Sequence, residues 1–119
     1  MTERDEIERM LRSRLSELES RASALDDALA ALGGLRDAST DDEHDPDGAP
    51  VSGEWSRLTG IRHEIEAEIA ATNAALTRLA AGGYGVCARC GSPIAPARLA
   101  ARPTATLCIA CAELAGRRP

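Results

Sequence analysis

The chain contains four cysteines, and all four lie in two Cys-x-x-Cys pairs. The pairs are Cys87-Ala-Arg-Cys90 and Cys108-Ile-Ala-Cys111, and 17 residues separate them. Each pair can present two thiolates from one tight turn, and two such turns supply the four sulfurs that tetrahedral Zn²⁺ prefers. An all-cysteine set leaves no position open for water, so the pattern predicts one structural Zn²⁺ rather than a catalytic metal.

Two disulfides, an iron centre and a redox site are the alternatives to zinc. The segment MTERDEIERM lacks the apolar stretch of a secretory signal, and no run of about 18 apolar residues could span a membrane. A cytoplasmic chain keeps its thiols reduced, which argues against disulfides. A thioredoxin-like site would need a βαβ pattern, and none is visible. Iron held by four thiolates is compatible with the spacing, which is its only support. We therefore expect zinc, bound in a cytoplasmic protein.

The composition favours a helical protein whose charge is divided unevenly along the chain. There is one Trp, one Tyr and no Phe, so Ala and Leu must supply the core, which suits helices joined along a narrow seam. Residues 1–50 carry 14 acidic side chains and six arginines, whereas residues 51–119 carry five and eight. The net charge of −5 argues against direct binding to DNA, since nucleic-acid phosphates attract cationic surfaces.

Two stretches of similar length show the heptad spacing of coiled-coil helices. The first seam consists of Ile7, Leu11, Leu15, Leu18, Ala22, Leu25, Leu29 and Leu32. The second consists of Val51, Trp55, Leu58, Ile61, Ile65, Ile69, Thr72, Leu76 and Leu79. Glycine pairs at 33–34 and 82–83 predict the helix ends, so we expect helices over about residues 3–32 and 52–81, with Ser52 as the N-cap.

Two matched helices joined by one connection predict a long antiparallel coiled-coil hairpin over residues 1–81. The alternative is a parallel dimer formed by the first helix alone. Residues 82–119 then form a small C-terminal four-cysteine zinc-finger module, with a short helix near residues 109–116 whose Leu114 packs back on the hairpin. The predicted fold class is therefore mainly α.

The connection over residues 33–50 is acidic and longer than usual for two neighbouring helices. A solvated linker is the simplest interpretation. A calcium loop is a second one, but Pro46, Pro50 and the missing twelfth-position Glu break the EF-hand pattern. A third interpretation is a set of carboxylates at the far end of a rod about 45 Å long, which could carry them down a narrow passage to a metal or a basic surface.

Several residues near the cysteines could support the metal site. We expect backbone N–H groups near Gly91 to turn toward the thiolates, and Tyr84 to cover one face of the site. Arg89, Arg98 and Arg102 could offset the negative charge of four thiolates on one Zn²⁺. The same arginines could instead dock onto an acidic partner or a phosphorylated small molecule.

The segment GGYGVCARCGSPIAPARLAARPTATLCIACAE resembles the zinc finger of the DksA/TraR family. The shared elements are the G-x-Y-G-x-C lead-in, the C-x-x-C-G turn, Ile94, Arg98-Leu99, Pro103 and the closing C-x-x-C. The resemblance implies a transcription regulator that binds core RNA polymerase without binding DNA. It implies that the hairpin enters the secondary channel, so that the tip approaches the active site and modulates initiation.

The family's tip motif, D-x-x-D-x-A, is altered in this chain. Asp47 and Ala49 match its second Asp and its Ala, His44 falls on the first position, and Asp45 lies one residue away. The resemblance thus implies Asp45, Asp47 and Ala49 as partner-binding tip residues, in a tip shortened by one residue. Pro50 predicts that the second helix begins differently from its relatives'.

Some family members act together with ppGpp. This chain has no lysine, so the resemblance offers no lysine residues to which a ppGpp-binding pocket could be assigned. The alternative function is a zinc-finger adaptor that uses the hairpin to bind another protein. Catalysis is not expected, because His44 and His63 are the only histidines and no nucleophile–base pair can be identified.

Overall fold

A computed structural model of the chain describes residues 2–40 and 48–116, with side-chain surroundings for residues 2–35 and 51–116. The described residues form α1 (Glu3–Thr40), α2 (Gly48–Ala81), α3 (Pro96–Ala101) and α4 (Ile109–Gly116). The prediction of a mainly helical fold is confirmed. None of the described helices is both long and apolar enough to cross a bilayer.

The chain divides into two compact units, a middle unit of residues 16–69 and a terminal unit of residues 1–15 and 70–119. In the middle unit, α1 and α2 pair along a narrow aliphatic seam. Its buried side chains are Leu18, Ala22 and Ile65, with Leu25, Ile61 and Ile69 packed against them. Burying each large aliphatic side chain stabilises the pairing by roughly 1.5–3 kcal/mol, which explains why the heptad pattern predicts the partner faces.

The pairing within the middle unit is antiparallel. Asp26 on α1 accepts a hydrogen bond of 2.9 Å from Arg62 on α2, whereas Gly33, further along α1, lies against Trp55, earlier on α2. The hydrogen bond from Arg62 holds the pKa of Asp26 below its usual value. The stabilisation from this ion pair is therefore present at neutral pH and is lost as the pH falls through that lowered pKa.

In the terminal unit, the first part of α1 packs against the last part of α2. Leu11, Ala75 and Leu79 are buried there, and Ile7, Leu76 and Tyr84 pack against them. Thr72, the one polar residue of the predicted seam, is fully buried. The same unit contains the segment with the cysteines, described below.

The prediction that the first helix ends at Gly33-Gly34 is wrong, because α1 continues to Thr40. Glycine in a helix costs roughly 0.5–1 kcal/mol relative to alanine, which packing readily outweighs. A Cβ built on Gly33 would lie 3.7 Å from Cζ3 of Trp55, so the backbone of α1 runs close to that ring. The local stop signal is therefore outweighed, and α1 continues past the point where it passes the indole.

The second helix begins at Gly48, earlier than the predicted start near Ser52. Pro50 lies in its first turn rather than outside it. Since the first four N–H groups of a helix have no partner within the helix, a proline there removes no hydrogen bond. The predicted tip residues Asp45 and Asp47 lie outside the described residues, and the side-chain surroundings of Ala49, in the first turn of α2, do too.

The end of α2 is a glycine-terminated Schellman motif. Gly82 has φ +85°, its N–H donates to the Leu79 carbonyl at 3.2 Å, and the Gly83 N–H donates to the Arg78 carbonyl at 2.8 Å. This left-handed conformation is accessible to glycine without a Cβ penalty. The motif stops α2 and directs the chain into the cysteine-containing segment.

Gly60, inside α2, and Gly82, directly after its last residue, should respond in opposite directions to substitution by alanine. Gly60→Ala should raise the free energy of unfolding by about 0.5–1 kcal/mol, because Gly60 is exposed inside the helix and a Cβ there meets no atom within 4 Å. Gly82→Ala should lower it by about 1–2 kcal/mol, because its φ of +85° strains any side chain. Urea denaturation of the two variants measures both effects, and equal shifts would contradict this account of the helix end.

Candidate metal centre

The first Cys-x-x-Cys pair lies in a turn held by backbone hydrogen bonds. The Cys87 N–H donates to the Ser92 carbonyl at 2.8 Å, and the Gly91 N–H donates to the Cys87 carbonyl at 2.9 Å. Gly91 has φ +76°, which explains a glycine directly after Cys90. The Gly91 N–H itself bonds to a carbonyl, but the backbone of the next residue, Ser92, turns toward a thiol, as predicted for the N–H groups near Gly91. Hydrogen bonds from the backbone and side chain of Ser92 lower the pKa of Cys90.

The second pair connects a loop to the start of α4. Cys108 directly precedes the helix, and Cys111 lies in its first turn. The Cys111 N–H points at the Cys108 sulfur at 3.5 Å, and the Ala112 N–H donates to the Cys108 carbonyl at 2.9 Å. The start of α4 thus directs a backbone N–H toward the Cys108 sulfur, the kind of hydrogen bond that orients a thiolate ligand on a metal.

The structure brings all four predicted ligands together. Their sulfur atoms lie within 4.8 Å of one another, and the Sγ atoms of Cys90 and Cys108 are 3.8 Å apart. Four Zn–S bonds of about 2.3 Å in a tetrahedron place neighbouring sulfurs about 3.8 Å apart, so the cluster fits Zn²⁺. All four cysteines are free thiols, which does not fit the alternative of two disulfides.

The surroundings of the cysteines favour a bound cation. Hydrogen bonds from the backbone N–H groups of Cys90 and Cys108 lower the pKa of Cys87 to about 6. Hydrogen bonding to the other thiols, chiefly Cys108, and burial raise the pKa of Cys111 to about 12. The four adjacent sulfurs therefore hold at least one proton when no cation is bound. A bound metal ion supplies the positive charge that allows all four to be thiolates.

The core around the cysteines is very small. Its buried members are Cys87, Ile94 and Cys111, with Leu99, Leu107 and Cys108 packed against them. An isolated bridge joins Val86 to Pro93, and the Ile94 N–H donates to the Gly85 carbonyl at 2.8 Å. Half of the clustered side chains are ligands, so the metal must supply much of the stability that a larger apolar core would provide.

The three arginines predicted near the site differ in their surroundings. Arg98 is partly buried, and its Nε donates to the Leu107 carbonyl at 2.9 Å, one residue before Cys108. Arg98 therefore fixes the approach to the second cysteine pair. Arg89 and Arg102 are exposed. Docking by any of the three stays a prediction.

Two sequence expectations about packing are corrected. Tyr84 packs against the cluster of Leu11, Ala75 and Leu79, not within the cluster that contains the cysteines, and its hydroxyl donates to the Pro103 carbonyl at 2.7 Å. Leu114 is 52% exposed, so it does not form the buried contact with the long helices that the sequence predicted. Sequence reasoning also missed the 3.4 Å hydrogen bond from Arg78 to the Thr104 carbonyl, because no pattern marks a carbonyl acceptor.

The comparisons with known proteins agree with this geometry. Residues 82–115 match the family model of the prokaryotic dksA/traR C4-type zinc finger. The whole structure is similar to that of the transcription factor DksA2 from Pseudomonas aeruginosa, with a TM-score of 0.82 and 29% sequence identity over 97% of this chain and 84% of that chain. No curated protein matches the chain. The four cysteines form a structural zinc site, as the sequence predicted.

Proposed function

We propose that the chain is a DksA-like transcription factor of the DksA/TraR zinc-finger family and that it acts by binding core RNA polymerase in the cytoplasm. The observation that carries the proposal is the similarity to transcription factor DksA2, which extends over 97% of this chain and includes both long helices as well as the zinc finger. A protein that shared only the finger could serve many partners.

The proposed route is the secondary channel of the polymerase. In the middle unit, two helices lie side by side on a seam of small and aliphatic residues, and such pairs have interaxial distances of about 8–10 Å. A helical pair of this width suits insertion into a narrow channel. The acidic segment between the helices, with Asp45, Asp47 and Ala49, would then approach the active site and modulate initiation.

The partner is a protein surface rather than DNA. The chain carries a net charge of −5 and one Trp, one Tyr and no Phe, so it offers neither a cationic track for phosphates nor aromatic rings on which bases could stack. Zinc has a structural role in this scheme, and no chemical step is assigned to the protein. The chain contains no lysine, and ppGpp binding is not part of the proposal.

The proposal is tested with purified zinc-loaded protein. We expect it to bind core polymerase and to change transcript yield from a ribosomal promoter in vitro. The variant Asp45→Asn/Asp47→Asn should still bind but should lose most of the effect on transcription, because the carboxylates act at the active site. Binding by fluorescence anisotropy and transcript quantification measure the two steps separately.

The matched control removes the same two charges from the same acidic segment, as Asp41→Asn/Asp42→Asn. This control should retain the transcriptional effect. If the zinc-loaded protein neither binds core polymerase nor alters transcription, the proposal fails. A zinc-finger adaptor for another protein, which would keep its partner when Asp45 and Asp47 become Asn, is then the better account.

A further inference from the structure

The segment Pro103–Leu107, here called the latch loop, is the point at which four separate parts of the terminal unit meet. It lies between α3 and Cys108 and contains neither helix nor strand. Four of its five carbonyl groups accept a hydrogen bond from outside the loop. The donors are the Tyr84 hydroxyl to Pro103 (2.7 Å), Arg78 Nη2 to Thr104 (3.4 Å), the Ala88 N–H to Thr106 (2.8 Å) and Arg98 Nε to Leu107 (2.9 Å).

We propose that the latch loop couples zinc occupancy to the end of α2, so that loading the four cysteines locks Arg78 and Tyr84 in place. The loop leads directly into Cys108, a zinc ligand. Its position is therefore fixed when Cys108 is tied to the other three sulfurs. Loss of the metal leaves only a small cluster around Ile94 to hold that end of the loop.

Arg78 and Tyr84, the two donors that the latch loop is proposed to lock, both take part in the helical packing of the terminal unit. Arg78 lies in the last turn of α2, and Tyr84 packs against Leu11, Ala75 and Leu79. Burial raises the pKa of Tyr84, as expected for a phenol removed from water. When the latch loop moves away, the Tyr84 hydroxyl loses its carbonyl acceptor and must find water, which loosens its packing.

The hydrogen bond from Ala88 ties the latch loop to the first cysteine pair as well as to the second. Ala88 lies between Cys87 and Cys90, and its N–H is bonded to the same loop that leads into Cys108. Each pair therefore restrains the latch loop independently, and zinc joins the two restraints. Because binding linkage is reciprocal, a contact that depends on zinc must in turn strengthen zinc binding.

Zinc affinity of a Tyr84→Phe variant of the full chain tests the coupling. This change keeps the ring in the Leu11 cluster and deletes only the hydroxyl that donates to Pro103. We expect zinc affinity, measured by competition with a chelator, to fall about fivefold, the equivalent of one ordinary hydrogen bond. Arg62→Gln, which removes the ion pair with Asp26 in the middle unit, is the control and should leave zinc affinity unchanged.

A spectroscopic measurement follows the latch directly. Tyr84 is the chain's one tyrosine, so incorporating 3-fluorotyrosine gives a single ¹⁹F resonance from this site. We expect that resonance to move toward the solvent-exposed position when zinc is chelated and to return when zinc is restored. An unchanged zinc affinity in Tyr84→Phe, or a resonance that does not respond to chelation, overturns the proposal. Neither readout involves polymerase, so the inference stands or fails separately from the proposed function.

Discussion

Replacing Cys111 with serine should abolish stoichiometric zinc binding and unfold the segment around the cysteines, while the helical pairing of the middle unit persists. The sulfur of Cys111 completes a closed four-thiolate set, and its side chain is one of three buried members of the local core. Structural zinc sites supply on the order of 10 kcal/mol of binding free energy, far more than this small cluster could replace.

Metal analysis and amide hydrogen exchange measure the result. Wild-type protein should contain about one zinc per chain, as a single four-ligand site requires. The variant should contain none, and its amides around Cys87 and Ile94 should exchange rapidly. Ala110→Ser, which introduces the same hydroxyl at an exposed neighbouring position of α4, is the matched control and should retain zinc. Full protection of the finger amides in Cys111→Ser would contradict the structural role of the metal.

The second large effect is expected in the aliphatic seam. Leu11→Ala should lower the free energy of unfolding by roughly 2–5 kcal/mol, because its side chain is fully buried against Ala75 and Leu79 and its removal leaves a cavity. Such a loss is a large part of the total stability of an ordinary domain, about 5–15 kcal/mol.

The same substitution at an exposed position of α1 provides the control. Leu35 is 60% exposed, so Leu35→Ala should change the free energy of unfolding by less than about 0.5 kcal/mol. Urea denaturation of both variants, followed by circular dichroism, gives the comparison. Similar losses at the two positions would show that helix propensity, rather than seam packing, determines the stability of α1.

The metal site was predictable because its chemistry leaves a pattern in the sequence. Two Cys-x-x-Cys pairs need only local turns to present their sulfurs, and the structure brings all four within 4.8 Å. The partner faces of the long helices were predictable for a similar reason. Leu18 and Ile65 belong to heptad seams, and both are buried in the same cluster.

The helix ends were harder to predict because tertiary contacts decide them. Gly33-Gly34 has the local character of a helix stop, but α1 continues past it, where its backbone meets Trp55 across the pair. Pro50 has the character of a helix breaker, but it falls in the first turn of α2, where no N–H partner is lost. Local propensity thus describes correctly what glycine and proline cost a helix, but it predicts the wrong position for each helix end.

The latch loop could not have been predicted at all. Its contacts depend on backbone carbonyls, which are the same in every residue type, so nothing in the letters of Pro103–Leu107 marks them as acceptors. The roles of Arg98 and Tyr84 follow from those carbonyls, at 2.9 Å and 2.7 Å. Sequence reasoning placed both residues near the metal, and only the geometry shows what each side chain holds.

A photo-crosslinking residue in place of Asp47, in zinc-loaded protein mixed with core polymerase, tests the central proposal most directly. We expect crosslinks to polymerase residues that line the secondary channel close to the catalytic centre, because the acidic segment between α1 and α2 is proposed to reach that point. Crosslinks confined to the outer surface of the polymerase, or no crosslink to polymerase, would contradict the account.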